Sequence, residues 1–429
     1  MLSTDAQRLL SELSVFAGGF TVEAAESVCM AEGGLQAEVV NLLSNLVSKS
    51  LVAIETTSGD ARFLMLETIR EYAREKLEIT GGKQAVLRRH VDFFLALAER
   101  SNPVFLWGAA KPVVVRELEA DQDNLRAALQ YSSEYGLIEQ HLRLCSALTW
   151  FWYIRSESIE GWNWLKQALT LSAAQSVSPK LQAEVHYSAG VFAHLLGDWE
   201  TALELLEESR RMFEQLQNVR QLGWIRHDLG QLAFFQGDYS LAAQQAAQGL
   251  DLFEQINDAG GVASMQLYLG LIAHYQGDNP RARTLLQESL ASLHEIGDDI
   301  AEARALHGLA LVEHQEENDE RAAALFRESL LKARYKRDQL DVIKALEGLS
   351  WVACSQGRAV LSATLLGAAD ALRSRINYPL EPGVRGENDR TIAALRKRLG
   401  ASAFDRAWEG GAALALDAAM ELALQSTDA

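Results

Sequence analysis

Histidines recur at a fixed spacing between residues 194 and 314 of the sequence. His194, His274 and His314 lie 80 and 40 residues apart, and Phe234 stands at the remaining position of this column. A row of imidazoles could ligate a metal or change its charge near neutral pH. Repeats stacked as helices lie about 10 Å apart, however, whereas metal ligands lie about 2 Å from the ion. The spacing therefore favours a binding surface over a metal site.

Neighbouring positions at the same spacing carry further aromatic and amphipathic side chains. Such side chains offer a large contact area at a low entropic cost, which the capture of a peptide or a helix requires. The alternative is that they pack against the next repeat. The candidate partner-binding residues are Tyr187, His194, Trp224, His227, Phe234, His274, Arg304, His307, His314 and Trp351.

Other polar motifs predict no catalysis. The carboxylate pairs at 207–208 and 316–317 are typical of solvated helix faces. Residues 82–84 contain Gly-Lys but lack the upstream glycine and the Ser or Thr of a P-loop, so they predict a turn between helices. Residues 121–124 lack the glycine and the final glutamate of a calcium loop and predict a helix cap. We expect no enzyme activity, no catalytic residue, no metal and no cofactor.

The elements that must position the candidate residues follow from a repeat of 40 residues. Small residues recur seven positions before and five positions after each turn of the repeat. Glycine adopts the left-handed conformation that ends a helix, and aspartate caps the next helix, so each repeat is predicted to be two antiparallel helices. One such pair cannot bury its own apolar face, so the pairs must stack. The turns are Gly197-Asp198, Gly237-Asp238, Gly277-Asp278, Glu317-Asn318 and Gly357-Arg358.

This pattern resembles the tetratricopeptide repeat in its long bacterial form. The Gly-Asp turn before Trp199 or Tyr239, with alanine three residues later, matches that repeat. The resemblance implies an all-α fold, a right-handed α-solenoid of helix pairs with a period of 40. We predict one divergent repeat followed by five clear ones over residues 141–370.

A different domain precedes the solenoid. Three helical segments are followed by a hairpin of residues 51–54 and 62–65 and by a helix from about Glu67, an order that predicts a small winged-helix domain. In the tail after the repeats we expect two helices, 387–399 and 402–424, that cover the last repeat. The predicted domains are a winged-helix-like domain at 1–80, a helical linker at 81–140, the solenoid at 141–370 and a C-terminal helical cap at 371–429.

The charge balance argues against nucleic-acid binding. The chain has 40 Lys and Arg against 58 Asp and Glu, a net charge of −18. Residues 1–80 carry six basic and twelve acidic side chains, and the third helix has Lys49 as its one cation. Reading a DNA groove requires polar side chains at the base edges and a cationic surround. We therefore predict a winged helix that packs against protein, with no direct nucleic-acid contact.

Composition also bears on the compartment. The sequence has no basic start followed by an apolar core and no apolar run of 18 residues, so we expect neither secretion nor a membrane. Its three cysteines are far apart and form no metal or disulfide motif. These features favour the cytoplasm.

Several phrases of the sequence resemble one family along nearly the whole chain. They look like the region that follows the nucleotide-binding module in bacterial signal-transduction ATPases of the STAND class, which include large LuxR-type and antibiotic-regulator-type transcription factors. The phrases are Leu13–Thr21 (LSVFAGGFT), Leu66–Ala73 (LETIREYA), Asp123–Leu129 (DNLRAAL), Leu365–Ala369 (LLGAA) and Phe404–Gly411 (FDRAWEGG).

The resemblance implies signal sensing in transcriptional control. The solenoid groove would receive a protein, a peptide or a small-molecule inducer and would reposition the solenoid against the winged helix or a partner ATPase. The sequence contains no P-loop and no separate helix-turn-helix module, and Leu66 stands where related ATPases have the histidine that senses ADP. Two alternatives stay open. One is a C-terminal fragment of an ATP-dependent STAND transcription factor, and the other is a winged-helix repressor that binds DNA directly.

Overall fold

The computed structural model describes residues 2–29, 36–57, 60–101, 111–155, 157–174, 177–336, 339–376 and 378–425. The chain divides into two compact units. Within the described residues, the first unit comprises those up to 151 together with 164–177, and the second comprises those of 152–163 together with those from 178 onward. No helix of the described residues combines the length and the apolar character needed to cross a bilayer.

The first unit begins with the winged helix. Its three strands pair antiparallel in the order β1-β3-β2. The hairpin of β2 and β3 was expected, but the two-residue strand β1 was not, and β2 continues to Thr57, where the sequence predicts a turn. The elements are α1 (Thr4–Leu13), β1 (Gly19–Phe20), α2 (Val22–Val28), α3 (Gln36–Ser48), β2 (Ala53–Thr57), β3 (Asp60–Leu64), α4 (Glu67–Thr80), α5 (Lys83–Arg100), α6 (Lys111–Ala120), α7 (Gln122–Glu134) and α8 (Ile138–Ile154).

Hydroxyl caps and aromatic packing explain the local structure of this domain. The Thr21 hydroxyl accepts a hydrogen bond from the Ala24 amide and so caps α2. The ring of Phe20 on β1 stacks between Phe16 and Phe63, with centroid distances of 4.7 and 5.9 Å. Burial of these rings holds the short strand β1 on the sheet.

The polar motif at 121–124 joins α7 to the winged helix. Asp121 stands at the N-cap position of α7, but its side chain makes no cap hydrogen bond. Instead, Arg62 on β3 donates to Asp121 at 2.6 Å, and the Asn124 amide accepts from the Ala17 amide at 2.9 Å and donates to the Gly19 carbonyl at 2.8 Å. The prediction of a helix cap is therefore wrong for the side chain of Asp121.

The second unit is a stack of helix pairs, which confirms the predicted fold class of an α-solenoid preceded by a winged helix. Helix α9 (Ser158–Ala174) lies in both units. The helices that follow pack mainly on their sequence neighbours. They are α10 (Pro179–Leu195), α11 (Trp199–Gln215), α12 (Val219–Phe235), α13 (Tyr239–Gln255), α14 (Ala259–Tyr275), α15 (Asn279–Ile296), α16 (Asp299–Gln315), α17 (Asp319–Lys336), α18 (Gln339–Ser355), α19 (Ala359–Ile376), α20 (Pro382–Leu399), α21 (Ala401–Ala412) and α22 (Leu416–Gln425).

The turns within the pairs have the conformation that the sequence predicts. Gly277 has a φ of 83°, and Asp278 accepts the amide of Arg281 and so caps α15. In the fourth pair Glu317 occupies the equivalent position with a φ of 62°, which is unfavourable for a residue with a Cβ atom. The same cap is made within pairs by Asp198 and Asp238, and between pairs by Asn218, Asp258 and Asp298.

A serine in the second helix of several pairs bonds to the first helix. Its hydroxyl is buried and donates to a carbonyl 26 residues earlier, which fixes the two helices at close approach. These hydrogen bonds are Ser209 to Ala183 at 2.9 Å, Ser289 to Ala263 at 2.7 Å and Ser329 to Ala303 at 2.7 Å.

The tail forms three helices where the sequence predicts two. Helix α20 begins at Pro382, five residues earlier than expected, because proline suits the first turn of a helix. The predicted second helix is two helices, α21 and α22, and the chain between them is not helical. Leu395 of α20 and Phe404 of α21 pack with Ala359 and Ala363 of α19. The non-helical residues before α20, together with its first two residues, form the segment 378–383, which we call the strap.

The turn conformations predict opposite effects of two substitutions. We expect Glu317→Gly to raise the free energy of unfolding by about 0.5–1 kcal/mol, because glycine removes the strain of a positive φ. Gly277→Ala should lower it by about 1 kcal/mol, since the added Cβ meets no atom within 4 Å and only the backbone conformation is penalised. Urea unfolding followed by circular dichroism measures both. Equal signs for the two variants would contradict this account.

Candidate functional site

The predicted site residues lie on the first helices of the pairs, α10, α12, α14, α16 and α18. We call the side of these helices that the strap contacts the inner face. Four of the predicted residues are buried: His194, Phe234, His307 and Trp351 are 5%, 5%, 9% and 3% exposed. The other six are partly exposed, namely Tyr187, Trp224, His227, His274, Arg304 and His314.

The histidine column is held by aromatic packing. His194 lies edge to face on Phe235 with ring centroids 5.1 Å apart, and His274 does the same on Tyr275 at 5.1 Å. His314 stacks on Trp351 at 6.3 Å. Each of these rings therefore has an aromatic neighbour, and the partner-binding role of the column stays a prediction. In the part of the chain that is described, no three His, Cys, Asp or Glu side chains are grouped to hold a metal ion.

Two of the predicted site histidines, His194 and His307, are kept neutral by their surroundings. Burial, together with the neighbouring Lys344 and His274, lowers the pKa of His307 to about 3. Burial lowers the pKa of His194 to about 4 although the Asp228 carboxylate opposes this shift. Neither Nδ1 atom has a hydrogen-bond partner among the described residues.

The first repeats present a partly exposed polar and aromatic surface. The Nδ1 atom of His227 lies 2.9 Å from Asp228, and its ring contacts Trp224 at 5.9 Å and Tyr268 at 5.2 Å. Burial and the Asp228 carboxylate raise the pKa of Tyr187. This part of the inner face combines flat rings with a carboxylate.

An aromatic cluster lies on α12, α13 and α14. It consists of Phe234, Phe235, Tyr239, Tyr268 and Tyr275, whose rings stack or meet edge to face. The strap packs directly on this cluster. Its Tyr378 ring lies 5.9 Å from Phe235, and a Cβ atom on Gly383 would lie 2.0 Å from the ring of Tyr275. Only glycine therefore allows the chain to approach the cluster so closely.

The strap also places a carboxylate on the inner face. Glu381, 8% exposed, forms an ion pair with Lys344 of α18 at 2.8 Å. Burial opposes the charge of Lys344, but the Glu381 carboxylate together with Tyr378 and Asp341 outweighs it and raises the pKa of the ammonium group. The pair is hydrogen-bonded and largely shielded from water, so removal of one partner would leave a costly charge.

Little empty space is left where the strap crosses the inner face. Arg304 donates to the Asp341 carboxylate at 3.0 Å and lines a cavity with Leu195, Leu340 and Tyr378. The volume of this cavity is about 30 Å³, which holds one or two water molecules. No larger ligand fits there while the strap is seated.

A buried polar network anchors α20 beside the strap. The Trp351 indole donates to Asn388 of α20 at 2.7 Å, and the Asn388 amide donates to Glu347 at 3.1 Å. Arg373 donates to the other oxygen of Glu347 at 2.6 Å. Burial raises the pKa of Glu347, and the Arg373 cation opposes that shift.

Sequence reasoning missed several residues of this site. Lys344 stands 40 residues after Arg304, and Glu347 stands 40 residues after His307, so extending the columns by one repeat finds both. Phe235 and Tyr275 occupy the column directly after the histidines. The strap residues Tyr378 and Glu381 lie outside the repeat, and no periodic signal points to them.

Two family models match the chain. The tetratricopeptide repeat model matches residues 181–255 and 261–334. The winged helix-turn-helix domain model matches residues 2–78. The chain therefore carries a winged helix followed by tetratricopeptide repeats.

Curated relatives come from mycobacteria. A "Putative HTH-type transcriptional regulator" of Mycobacterium tuberculosis H37Rv is 36% identical over 169 residues, which are 39% of this chain and 19% of the relative. An "Uncharacterized protein" of the same strain is 35% identical over 91 residues, which are 21% of this chain and 23% of the relative. The matches thus span about a fifth of the length of these relatives.

Two solved structures of low sequence identity are similar to the chain. A Signal Transduction ATPase with Numerous Domains (STAND) protein with a tetratricopeptide repeat sensor, from Pyrococcus horikoshii, is 16% identical with a TM-score of 0.49. That match covers 95% of this chain and 65% of the other. A Rap protein complexed with Competence and Sporulation Factor is 12% identical with a TM-score of 0.47, and covers 77% of this chain and 95% of the other.

The neutral histidines predict a loss of stability in acid. A histidine in the unfolded chain has a pKa of about 6.5, whereas that of folded His307 is about 3. Between these values the unfolded chain binds a proton that the folded chain does not, so the free energy of unfolding falls as the pH falls below about 6.5. His307 alone should contribute a loss of about 1–2 kcal/mol between neutral pH and mildly acidic pH.

The substitution His307→Leu isolates this contribution, since Leu267 occupies the same column one repeat earlier. We expect this variant to lose less stability than the wild type when urea unfolding is compared at the two pH values. Phe326→Leu is the control, because Phe326 packs on His307 at 5.3 Å and does not titrate. An unchanged pH dependence in the His307 variant would rule out the buried neutral imidazole as a cause.

Proposed function

We propose that this chain is a signal-sensing region of a bacterial transcription regulator, and that its inner face binds an extended segment of a protein or peptide partner. The chain acts by binding and not by catalysis, and it works in the cytoplasm. A small-molecule inducer is the alternative ligand for the same face.

One observation carries the binding role. One repeat column of the inner face carries Trp224, Arg304 and Lys344, with Ser264 between the first two. A non-repeat segment lies against Arg304 and Lys344. Aromatic rings supply contact area at low entropic cost, and partly buried cations select a carboxylate. Recognition of an extended chain by side-chain pockets fits this lining.

The regulatory role is supported by relatedness. The stretch of 36% identity connects the chain to a mycobacterial protein described as an HTH-type transcriptional regulator. The phrases shared with the STAND class, such as Leu13–Thr21, point in the same direction. We further propose that an ATPase of that class acts together with this region, and that partner binding on the solenoid controls it.

The winged helix is proposed to contact protein and not DNA. The exposed side of α3 carries Asn41, Ser44, Asn45 and Ser48, which are uncharged. The hydroxyls of both serines donate to carbonyls of their own helix. Without a cationic surround, these side chains lack the phosphate contacts that supply most of the affinity for a duplex.

Site-specific photo-crosslinking tests the binding role. We expect the full chain with p-benzoylphenylalanine in place of Trp224, expressed in the bacterium of origin, to capture a protein or peptide that mass spectrometry identifies. The control carries the same photo-reactive residue in place of Leu241, which is 40% exposed on α13, a second helix of its pair. Capture of one species from both positions, or no capture at Trp224, would contradict the proposal.

Titration of a labelled duplex tests the winged helix. We expect the dissociation constant of the full chain for mixed-sequence DNA to be weaker than about 10⁻⁴ M at physiological salt. A variant with Asn41→Arg and Asn45→Arg supplies the missing cations and serves as a check that added charge at this surface can be detected. Tight binding by the wild type that weakens steeply with salt would support the direct repressor instead.

A further inference from the structure

The strap is the one described segment outside the helix pairs that crosses several of their inner helices. Residues 378–381 are not helical, and the Glu381 backbone is extended, with φ −61° and ψ 140°. The strap contacts α12 through Phe235, α14 through Tyr275 and α18 through Lys344. A short extended segment thus spans most of the repeats from inside.

The strap uses the chemistry of a bound peptide. A tyrosine ring packs among aromatic rings, and a carboxylate three residues later pairs with a cation. Pro379 and Pro382 restrict the backbone, which lowers the entropy lost when such a segment is ordered. Arg373 adds a cation 5.9 Å from the centroid of the Tyr378 ring.

We propose that the strap is an internal ligand of the inner face, and that an external peptide with an aromatic residue followed three positions later by an acidic residue binds the same place by displacing it. This inference rests on the proposed function, since it specifies the chemistry of the partner and states that the partner binds by displacing the strap. Strap and peptide exclude each other, because both would use the ring of Phe235 and the ammonium group of Lys344.

The contacts of α20 allow the strap to be released while the C-terminal cap stays attached. Helix α20 is fixed separately, by Asn388 on Trp351 and Glu347 and by Leu395 in the core. Release of the strap therefore breaks the Tyr378 packing and the Glu381 ion pair and leaves the polar network in place. In the free protein the strap is tethered at both ends and so competes at a high effective concentration.

A peptide supplied in trans tests the proposal. The probe is a fluorescein-labelled synthetic peptide with the sequence of residues 374–386, and anisotropy measures its binding to the full chain. The strap variant Tyr378→Ala/Glu381→Gln should bind the probe about tenfold more tightly than the wild type, because a strap seated nine-tenths of the time weakens apparent affinity by that factor. Lys344→Met in the strap variant should remove this gain.

Matched variants separate displacement from loss of structure. Arg385→Ala changes an exposed residue of α20 and should bind the probe as the wild type does. Glu381→Gln alone preserves side-chain shape and should give a smaller gain, and far-UV circular dichroism confirms that each variant is folded. A probe carrying the same Tyr→Ala and Glu→Gln changes should bind none of them.

The outcomes distinguish this inference from the proposed function. A gain in the strap variants that needs Lys344 supports the internal ligand. Equal binding of the probe to wild type and strap variants, or no binding to either, overturns it. Crosslinking at Trp224 tests the partner-binding role independently. If a captured partner binds the wild type and the strap variants equally, the partner-binding role is supported and displacement of the strap is refuted.

Discussion

Close approach of the two helices within each pair is the constraint on which the solenoid depends. A Cβ atom on Gly190 would lie 2.8 Å from Leu206, and one on Gly270 would lie 2.7 Å from Leu286, so the larger side chain of the second helix fits only against glycine. This contact is made in the first and third pairs, 80 residues apart, and the other pairs have Gly230, Ala310 and Ser350 at the same position. A small residue every 40 positions thus lets each pair adopt the same register as the next. Because the register is constant, residues 40 positions apart occupy equivalent places on the inner face. The columns of the sequence therefore correspond to physical rows of side chains.

Those rows change in character along the stack, and the change explains where the strap is seated. The column of Trp224 continues as a serine, then Arg304 and then Lys344, so it runs from an aromatic to a cationic side chain. The strap follows the same order, with its tyrosine on the aromatic rings of α12 and, three residues later, its glutamate on α18. Its glycine then passes over Tyr275, where a side chain has no room. Aromatic packing of Tyr378 and the ion pair of Glu381 thus fix the position of the strap, which itself has no repeat pattern.

The sequence predicts the repeat well and the strap poorly, for physical reasons. Turn glycines, capping aspartates and small residues act within a few residues of each other, so the pairs around Gly277 could be read directly from their spacing. Docking of Tyr378 depends instead on residues such as Phe235 that are distant in sequence and share no period with the tail. The early start of α20 was missed because Gly383 and Gly386 are poor helix formers, whereas Pro382 and the packing of Val384 favour the first turn. For the winged helix, the pairing of Arg62 with Asp121 joins segments whose proximity no local pattern indicates.

The polar groups behind the strap explain how the inner face could change its occupant while the end of the repeats stays unchanged. Lys344, Glu347 and Trp351 lie at positions i, i+3 and i+7 of α18 and therefore share one side of that helix. The first holds the strap, and the other two hold Asn388 of α20. A displaced Glu381 would leave the Lys344 ammonium group to the incoming carboxylate, while Glu347 keeps its bonds to Arg373 and Asn388. One side of α18 thus carries both the ion pair of Lys344, which can exchange its partner, and the buried network around Glu347, whose two carboxylate oxygens are both hydrogen-bonded. This division lets the inner face change its occupant while the cap stays attached.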